Sequence, residues 1–185
     1  EARTSQGPLA DLVERQTGIM AEQVEHHLRR ARAAAHAKAV GARTDIAPTV
    51  DDLVRTLDKI NAARALTITA DIPGELRFRG ERQDLEEMVG NLMDNACKWA
   101  RGTVRVSAER TDERTLAILI EDDGPGLDEG EAQSALQRGV RLDEKAPGSG
   151  LGLAIVKHIA LVHGGEISVD TKVGAGSRFS LSIPR

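Results

Sequence analysis

The chain has 185 residues and is 40% hydrophobic, enough for one ordinary domain with an appendage and a real core. Its net charge of −4 excludes a nucleic-acid surface that works by neutralising phosphates, and no apolar run is long enough to span a bilayer or to act as a signal peptide. Cys97 is alone, which excludes a disulfide framework and a CxxC zinc site, and Trp99, Phe78 and Phe179 are the sole aromatics, so Leu, Ile, Val and Met must fill the core.

In chain order, the first expected element is a long amphipathic helix. Leu9, Val13, Gln16, Met20, Val24, His27 and Ala31 recur by threes and fours, close to a heptad seam, and Pro8 suits a helix start. One helix of this length cannot bury its stripe alone and needs a partner. His26 reads as the neighbour of a seam residue, His27, and none of the five histidines has metal-ligand spacing. The chain breaks at Val40-Gly41-Ala42-Arg43-Thr44, which divides it into residues 1–44 and 45–185.

Beyond the break the periods alternate. Asp45 to about Ala63 predicts a helix with Val50, Leu53, Leu57 and Ile60 as its apolar positions, and Leu66, Ile68 and Ala70 alternate as a strand. From Arg82 to Trp99, Leu85, Met88, Val89, Leu92, Met93 and Ala96 give a full helical stripe. Val104 to Ala108 and Leu116 to Ile120 predict a hairpin around Thr111-Asp112-Glu113-Arg114. Residues 129–148 show little periodicity and predict a long mobile segment around a short helix. Leu151 to His163 predicts a helix with Gly164-Gly165 as its C-cap, and Ile167-Val169 with Phe179-Leu181-Ile183 a second hairpin. The sum is an α+β fold, a two-layer α/β sandwich with a mixed sheet of about five strands and helices on one face.

Three motifs carry chemistry. On the central helix Glu87, Asn91, Asn95 and Lys98 fall on one face, away from the apolar stripe. An amide oxygen is a hard neutral ligand suited to Mg²⁺, and Lys98 adds a point charge for phosphates; the same pattern also fits the solvated side of an ordinary helix. At a strand end, Asp122 is followed by Asp123-Gly124-Pro125-Gly126. A carboxylate there accepts a hydrogen bond from an exocyclic amine such as adenine's, while Gly124 and Gly126 let backbone approach a flat ring; a plain turn fits equally. Gly148-Ser149-Gly150-Leu151-Gly152-Leu153 opens a helix, where free N–H groups and the positive dipole end suit a polyphosphate. It matches neither the dinucleotide fingerprint, since Leu153 occupies the last glycine position, nor a P-loop, and by itself reads as a flexible loop. Arg138 and Arg141 lie between the second and third motifs, where a closing segment would bring an arginine to a terminal phosphate; a solvated loop of mixed charge is the alternative. The three motifs in this order make binding of ATP with Mg²⁺ the leading reading.

The order E-x-x-x-N-x-x-x-N-x-x-K, D-x-G-x-G, G-x-G-L-G-L and Gly176-Ser177-Arg178-Phe179 resembles the catalytic ATP-binding domain of bacterial sensor histidine kinases, the Bergerat (GHKL) fold also found in DNA gyrase, MutL-type ATPases and a heat-shock chaperone family. GNLMDNACKW, EDDGPGL and QRGVRLDE resemble the PhoQ-like group. The resemblance covers about Ala47 to the C-terminus. It implies that Asn95 holds Mg²⁺, that Asn91 and Lys98 contact phosphates beside Trp99, that Asp122 binds adenine, and that Gly148 to Leu153 end an ATP lid carrying Arg138 and Arg141. It assigns Asn91, Lys98 and Arg138 to catalysis. In the ATPase cousins the position of Asn91 holds a Glu that activates water, which an amide cannot do.

The helix from Leu9 to about Ala39, with its E-H-H-L-x-R-A-R stretch, resembles the second helix of the family's dimerisation and phosphotransfer hairpin. The phosphoacceptor helix is not found: Arg3 stands where its His would be, and residues 1–7 read as the inter-helix loop. The chain begins without Met, so it is expected to be a fragment of a longer protein that binds ATP but lacks its own acceptor. Leu136 replaces a usual lid aromatic and Trp99 a common Tyr. The implied activity of the intact protein is histidine autophosphorylation, followed by transfer to an Asp of a response regulator, itself a transcription factor, by a homodimer on the cytoplasmic side of a bacterial inner membrane. Membrane contact would come through upstream segments, with no direct contact to nucleic acid. The alternatives are a GHKL-type ATPase or clamp, a non-catalytic nucleotide-binding or dimerisation module, and an anti-sigma serine kinase of the same fold.

Overall fold

The computed structural model describes residues 41–128, 130, 132 and 151–185. The expected seam helix before Val40 and the segment between the second and third motifs lie outside the described residues. Strand β1 (Thr44–Asp45) is followed by helix α1 (Ile46–Ile60), a 3₁₀ turn (Ala62–Arg64), β2 (Thr67–Asp71), β3 (Arg77–Phe78), α2 (Arg82–Trp99), β4 (Thr103–Arg110), β5 (Thr115–Asp122), α3 (Gly152–Val162), β6 (Glu166–Lys172) and β7 (Gly176–Pro184).

Helix α1 starts just before Pro48, whose missing N–H costs nothing in a first turn where amides have no intrahelical partner. It stops at Ile60 because Asn61 turns both its backbone N–H and its side-chain Nδ2 back onto the Leu57 carbonyl (both 2.9 Å), and Ala65 then takes a left-handed φ of 50°. The apolar stripe is shifted by a turn from the expectation. Ile46, Val50 and Leu57 are buried with Leu53 and Val54 beside them, whereas Ile60 is 70% exposed.

The five-stranded sheet has the order β2-β4-β5-β7-β6. β2 and β4 are parallel, and the crossover between them is the segment carrying β3 and α2, as a parallel pair requires. The remaining neighbours are antiparallel hairpins or adjacent strands. One face buries Ile68, Val104, Val106, Leu116, Ile118, Ile120, Phe179, Leu181 and Ile183 beneath α1, α2 and α3. Ala70, expected inward on β2, is exposed on this edge strand. The opposite face carries a row of alternating charge in register across four strands, Arg105, Glu121, Arg178 and Asp170. The β1–β3 ribbon, two residues a side, pairs Thr44 with Phe78 and was not predicted, since two residues display no period.

Helix α2 buries Leu85, Met88, Val89, Leu92, Met93, Ala96 and Cys97, the expected stripe with Cys97 added. Its carbonyl end is closed by Arg64, whose guanidinium donates to the carbonyls of Cys97, Lys98 (3.4 Å) and Ala100 (2.9 Å). A cation at this end also meets the negative pole of the helix. Helix α3 ends as predicted. Gly165 N–H reaches Ala160 O (2.8 Å) and Gly164 N–H reaches Leu161 O (3.0 Å), the paired bonds of a Schellman cap, with Gly164 at φ 75°.

The His163 side chain, 4% exposed, joins two helices and a strand. Its Nε2 lies 2.8 Å from Asp84 Oδ2 on α2, and its ring meets Phe78 edge to face at 4.8 Å between centroids. Replacing His163 with Ala removes that hydrogen bond and the ring contact together, and should destabilise the fold by about 2 kcal/mol. Urea unfolding at neutral pH would show this as a lower midpoint at unchanged slope.

Candidate functional site

The polar face of α2 points toward two other chain segments. At its middle, the Asn91 amide donates from Nδ2 to the Glu87 carbonyl (2.6 Å), and its Oδ1 faces the start of α3. A Cβ placed on Gly152 would sit 3.0 Å from that oxygen, a tight contact to which the Asn91 side chain would have to yield by a few tenths of an ångström. The first turn of α3 thereby brings amides that a helix leaves unpaired, and its positive pole, toward the amide face of α2. Asn95 is half-buried on the same face, and the exposed Lys98 holds its ammonium 2.6 Å from Asp94 Oδ2.

At its end, α2 meets the loop after β5. Gly124 is buried against the helix: a Cβ there would lie 2.6 Å from both the Trp99 carbonyl and Asp122 Oδ1. Asp122 is 9% exposed, and Gly124 N–H donates to its Oδ1 at 2.8 Å. Burial raises the Asp122 carboxyl above the ordinary aspartate range, helped by the charge of Asp123 and opposed by the N–H groups of Gly124 and Ser177. The result is a buried acceptor whose direction is set by backbone. Gly126 has φ 69° and packs against the Lys172 carbonyl, which leaves no room for a side chain.

The β6–β7 turn supports this loop from behind. Gly174 N–H donates to Pro125 O (2.6 Å), and Leu127 N–H donates to Thr171 Oγ1 (2.8 Å), whose hydroxyl also reaches Gly176 O (3.1 Å). Thr171 was not singled out from sequence, because a threonine in a hairpin carries no signal until its partner is known. Asp123 was passed over as the second carboxylate of the motif. Its Oδ1 accepts the N–H groups of Arg101 (2.8 Å) and Gly102 (3.0 Å). Desolvation raises the Asp123 carboxyl, but the amides of Gly102, Thr103 and Arg101 and the Thr103 hydroxyl outweigh it and bring the value down to about 2. The Asp94–Lys98 pair, by contrast, is legible in the sequence from its i,i+4 spacing.

Of the candidate residues, Asn91, Leu151, Gly152 and Leu153 gather at one place, and Trp99, Asp122, Gly124 and Gly126 at another. Asn95 and Lys98 lie on the helix segment between them. Arg138, Arg141, Gly148, Ser149 and Gly150 lie outside the described residues. Among the described residues no group of three His, Cys, Asp or Glu side chains could hold a metal ion. Cys97 is no nucleophile: burial, with Asp94 nearby, pushes its thiol up to about 11. No helix among the described residues is long and apolar enough to cross a membrane.

Comparison with known proteins bears on the same residues. The family model described as "Histidine kinase-, DNA gyrase B-, and HSP90-like ATPase" matches residues 80–185. The virulence sensor histidine kinase PhoQ of Salmonella typhimurium is 36% identical over 140 residues, 76% of this chain and 28% of that protein. The sensor protein PhoQ of Escherichia coli O157:H7 is 34% identical over 172 residues, 92% of this chain and 35% of that protein. The chain thus spans about a third or less of the length of these relatives. Among solved structures, the mycobacterial sensor histidine kinase MprB superposes with a TM-score of 0.69 at 28% identity, over 78% of this chain and 97% of that one. Full-length ShkA in complex with AMPPNP gives 0.69 at 24% identity over 77% of this chain and 30% of that one, a likeness of fold.

Asp123 makes its own pH signature. Its folded value of about 2 lies below the ordinary aspartate value near 4, so it stabilises the fold above pH 4 and loses that contribution as the pH falls toward 2. Asp123→Asn should flatten the acid limb of the stability curve between those values, measured by urea midpoints taken at successive pH.

Proposed function

We propose a mechanism for this chain, which belongs to the histidine kinase-, DNA gyrase B- and HSP90-like ATPase family and is the ATP-binding catalytic portion of a two-component sensor histidine kinase. The observation that carries the mechanism is the reach of α2. One helix runs from Asn91, against the start of α3, to the Trp99 carbonyl, against Gly124 beside the buried Asp122.

In this reading Asp122 accepts a hydrogen bond from the exocyclic amine of adenine, and Gly124 and Gly126 admit the ring. The polyphosphate runs along the polar face of α2 toward the first amides of α3, with Gly148, Ser149, Gly150, Leu151, Gly152 and Leu153 as its further binding residues. Asn91 and Lys98 contact phosphates, and Arg138 and Arg141 reach the terminal phosphate from the lid. A Mg²⁺ held by Asn95 and phosphate oxygens would offset charge on the polyphosphate. Residues 45–185 form the catalytic domain, and residues 1–44 supply the second helix of a dimerisation hairpin. In the whole protein, an imidazole nitrogen of a histidine on the partner helix attacks the γ-phosphorus. The P–N bond forms as the bond to the β–γ bridging oxygen breaks, and ADP leaves. Lys98 and Arg138 balance the spread charge, so the protein supplies position and field, without a covalent bond of its own. The phosphoryl then passes to an Asp of a response regulator, a transcription factor. The homodimer works on the cytoplasmic side of a membrane-anchored sensor. Asn91, an amide, cannot take a proton from water, which weighs against a stand-alone ATPase.

Calorimetric titration of the full chain with a non-hydrolysable ATP analogue and Mg²⁺ tests the pocket. Wild type should bind in the micromolar to sub-millimolar range, and Asp122→Ala should lose about tenfold to a hundredfold in affinity, the worth of a charge-assisted hydrogen bond. A folded wild type that binds nothing overturns the reading. Gly152→Ala supplies a second check. Alanine suits a helix better than glycine, so stability should hold or rise by up to about 0.5 kcal/mol. The added methyl presses on Asn91, and affinity for the same analogue should fall about threefold to tenfold, a loss within the worth of one hydrogen bond.

A further inference from the structure

The ammonium of Lys98 is already engaged. Asp94, one turn before it on α2, holds it at 2.6 Å, and both side chains reach solvent, at 34% for Lys98 and 47% for Asp94. Asp94 also stands next to Asn95 in sequence and shares the polar face of the helix with Asn91 and Lys98, since steps of three, four and seven residues return to neighbouring angles. A carboxylate is therefore placed at one side of the face on which the polyphosphate is to lie. An anionic ligand meets two costs there: it approaches a fixed negative charge, and it must take Lys98 away from an existing partner.

We propose that Asp94 is a positioning residue that keeps Lys98 neutralised until a nucleotide arrives with a divalent cation, so that the site favours metal-bound over metal-free ATP. This rests on the reading of the site as an ATP pocket. The exchange is one of counter-charges. When a cation comes in on the phosphates, Asp94 faces that cation, and Lys98 turns to a phosphate oxygen. When the polyphosphate comes without a cation, Lys98 can leave Asp94 only by stranding the carboxylate beside further negative charge. An exposed i,i+4 pair is weak, which suits a contact that must be given up at each binding event, and it fixes the expected effects at a few-fold. No covalent step is involved.

The test compares wild type, Asp94→Asn, Lys98→Ala and the double variant in the full chain. Each is titrated with a non-hydrolysable ATP analogue with and without Mg²⁺, and with adenosine, which has no phosphates. Asp94→Asn should bind the metal-free analogue about two- to fivefold more tightly than wild type, the size expected for releasing an exposed pair. With Mg²⁺ the gain should shrink and for adenosine it should vanish, whereas Lys98→Ala should weaken binding of the analogue with or without Asp94→Asn. No gain for the metal-free analogue, or an equal gain with and without Mg²⁺, overturns the proposal. These outcomes leave the ATP pocket standing as long as wild type binds the analogue and Asp122→Ala binds it about tenfold to a hundredfold more weakly. If wild type binds neither analogue nor adenosine, the pocket and the role of Asp94 fall together. Because Asp94 and Lys98 are solvent-reaching, all four proteins should unfold at similar urea midpoints, so altered folding is read independently.

Discussion

The helical layer depends on how the carbonyl end of α2 is closed. A helix leaves its last carbonyls without partners, and burying them unpaired would cost more than most single contacts return. Here one guanidinium, from Arg64, takes three of them, while Asp123 takes the amides of Arg101 and Gly102 just beyond. The Trp99 carbonyl is left facing Gly124, at a distance only a glycine tolerates. The same few ångströms thus complete a structural cap and set the floor of a pocket, which is why Asp122 can be buried and still point in one direction.

The chemistry divides between parts that are held by backbone and parts that are held by charge. The Asp122 end is of the first kind: its carboxyl, the Gly124 amide and the β6–β7 turn are locked together by short hydrogen bonds. The Asn91–Lys98 end is of the second kind, a polar helix face whose side chains can exchange partners. A flat, neutral ring suits the rigid end, and a flexible, highly charged chain suits the adaptable one. An amide at position 91 cannot act as a general base, so position and field are what that residue offers.

Much of this was legible in the sequence where a period ran long enough. The bounds of α2 follow from six apolar residues in phase, and the Gly164-Gly165 cap from two adjacent glycines after an apolar run. Ile60 misled because it is in phase with Leu57, whereas the stripe begins a turn earlier at Ile46. Ala70 misled because alternation cannot tell an edge strand from an inner one. The motifs revealed which residues share chemistry, but not what holds them. Arg64 caps a helix 33 residues away, and Thr171 supports a loop 44 residues away. Such pairs are matters of tertiary approach, with no local pattern to announce them.

The charge row on the open face of the sheet has a consequence for how the strands find one another. Alternating inward and outward residues cannot distinguish the native pairing from one displaced by two positions, since both bury the same side chains. The row can. With Arg105 opposite Glu121, Glu121 opposite Arg178 and Arg178 opposite Asp170, each strand meets a neighbour of opposite sign, and the Glu121–Arg178 contact closes at 2.6 Å. Displaced by two, Glu121 would face Gly176 or Ser180 and Arg178 would face Ser168 or Lys172, and the sequence of signs would no longer interlock. Across these four strands the exposed charges act as index marks, a surface vernier that reads the alignment of a sheet whose interior would accept more than one.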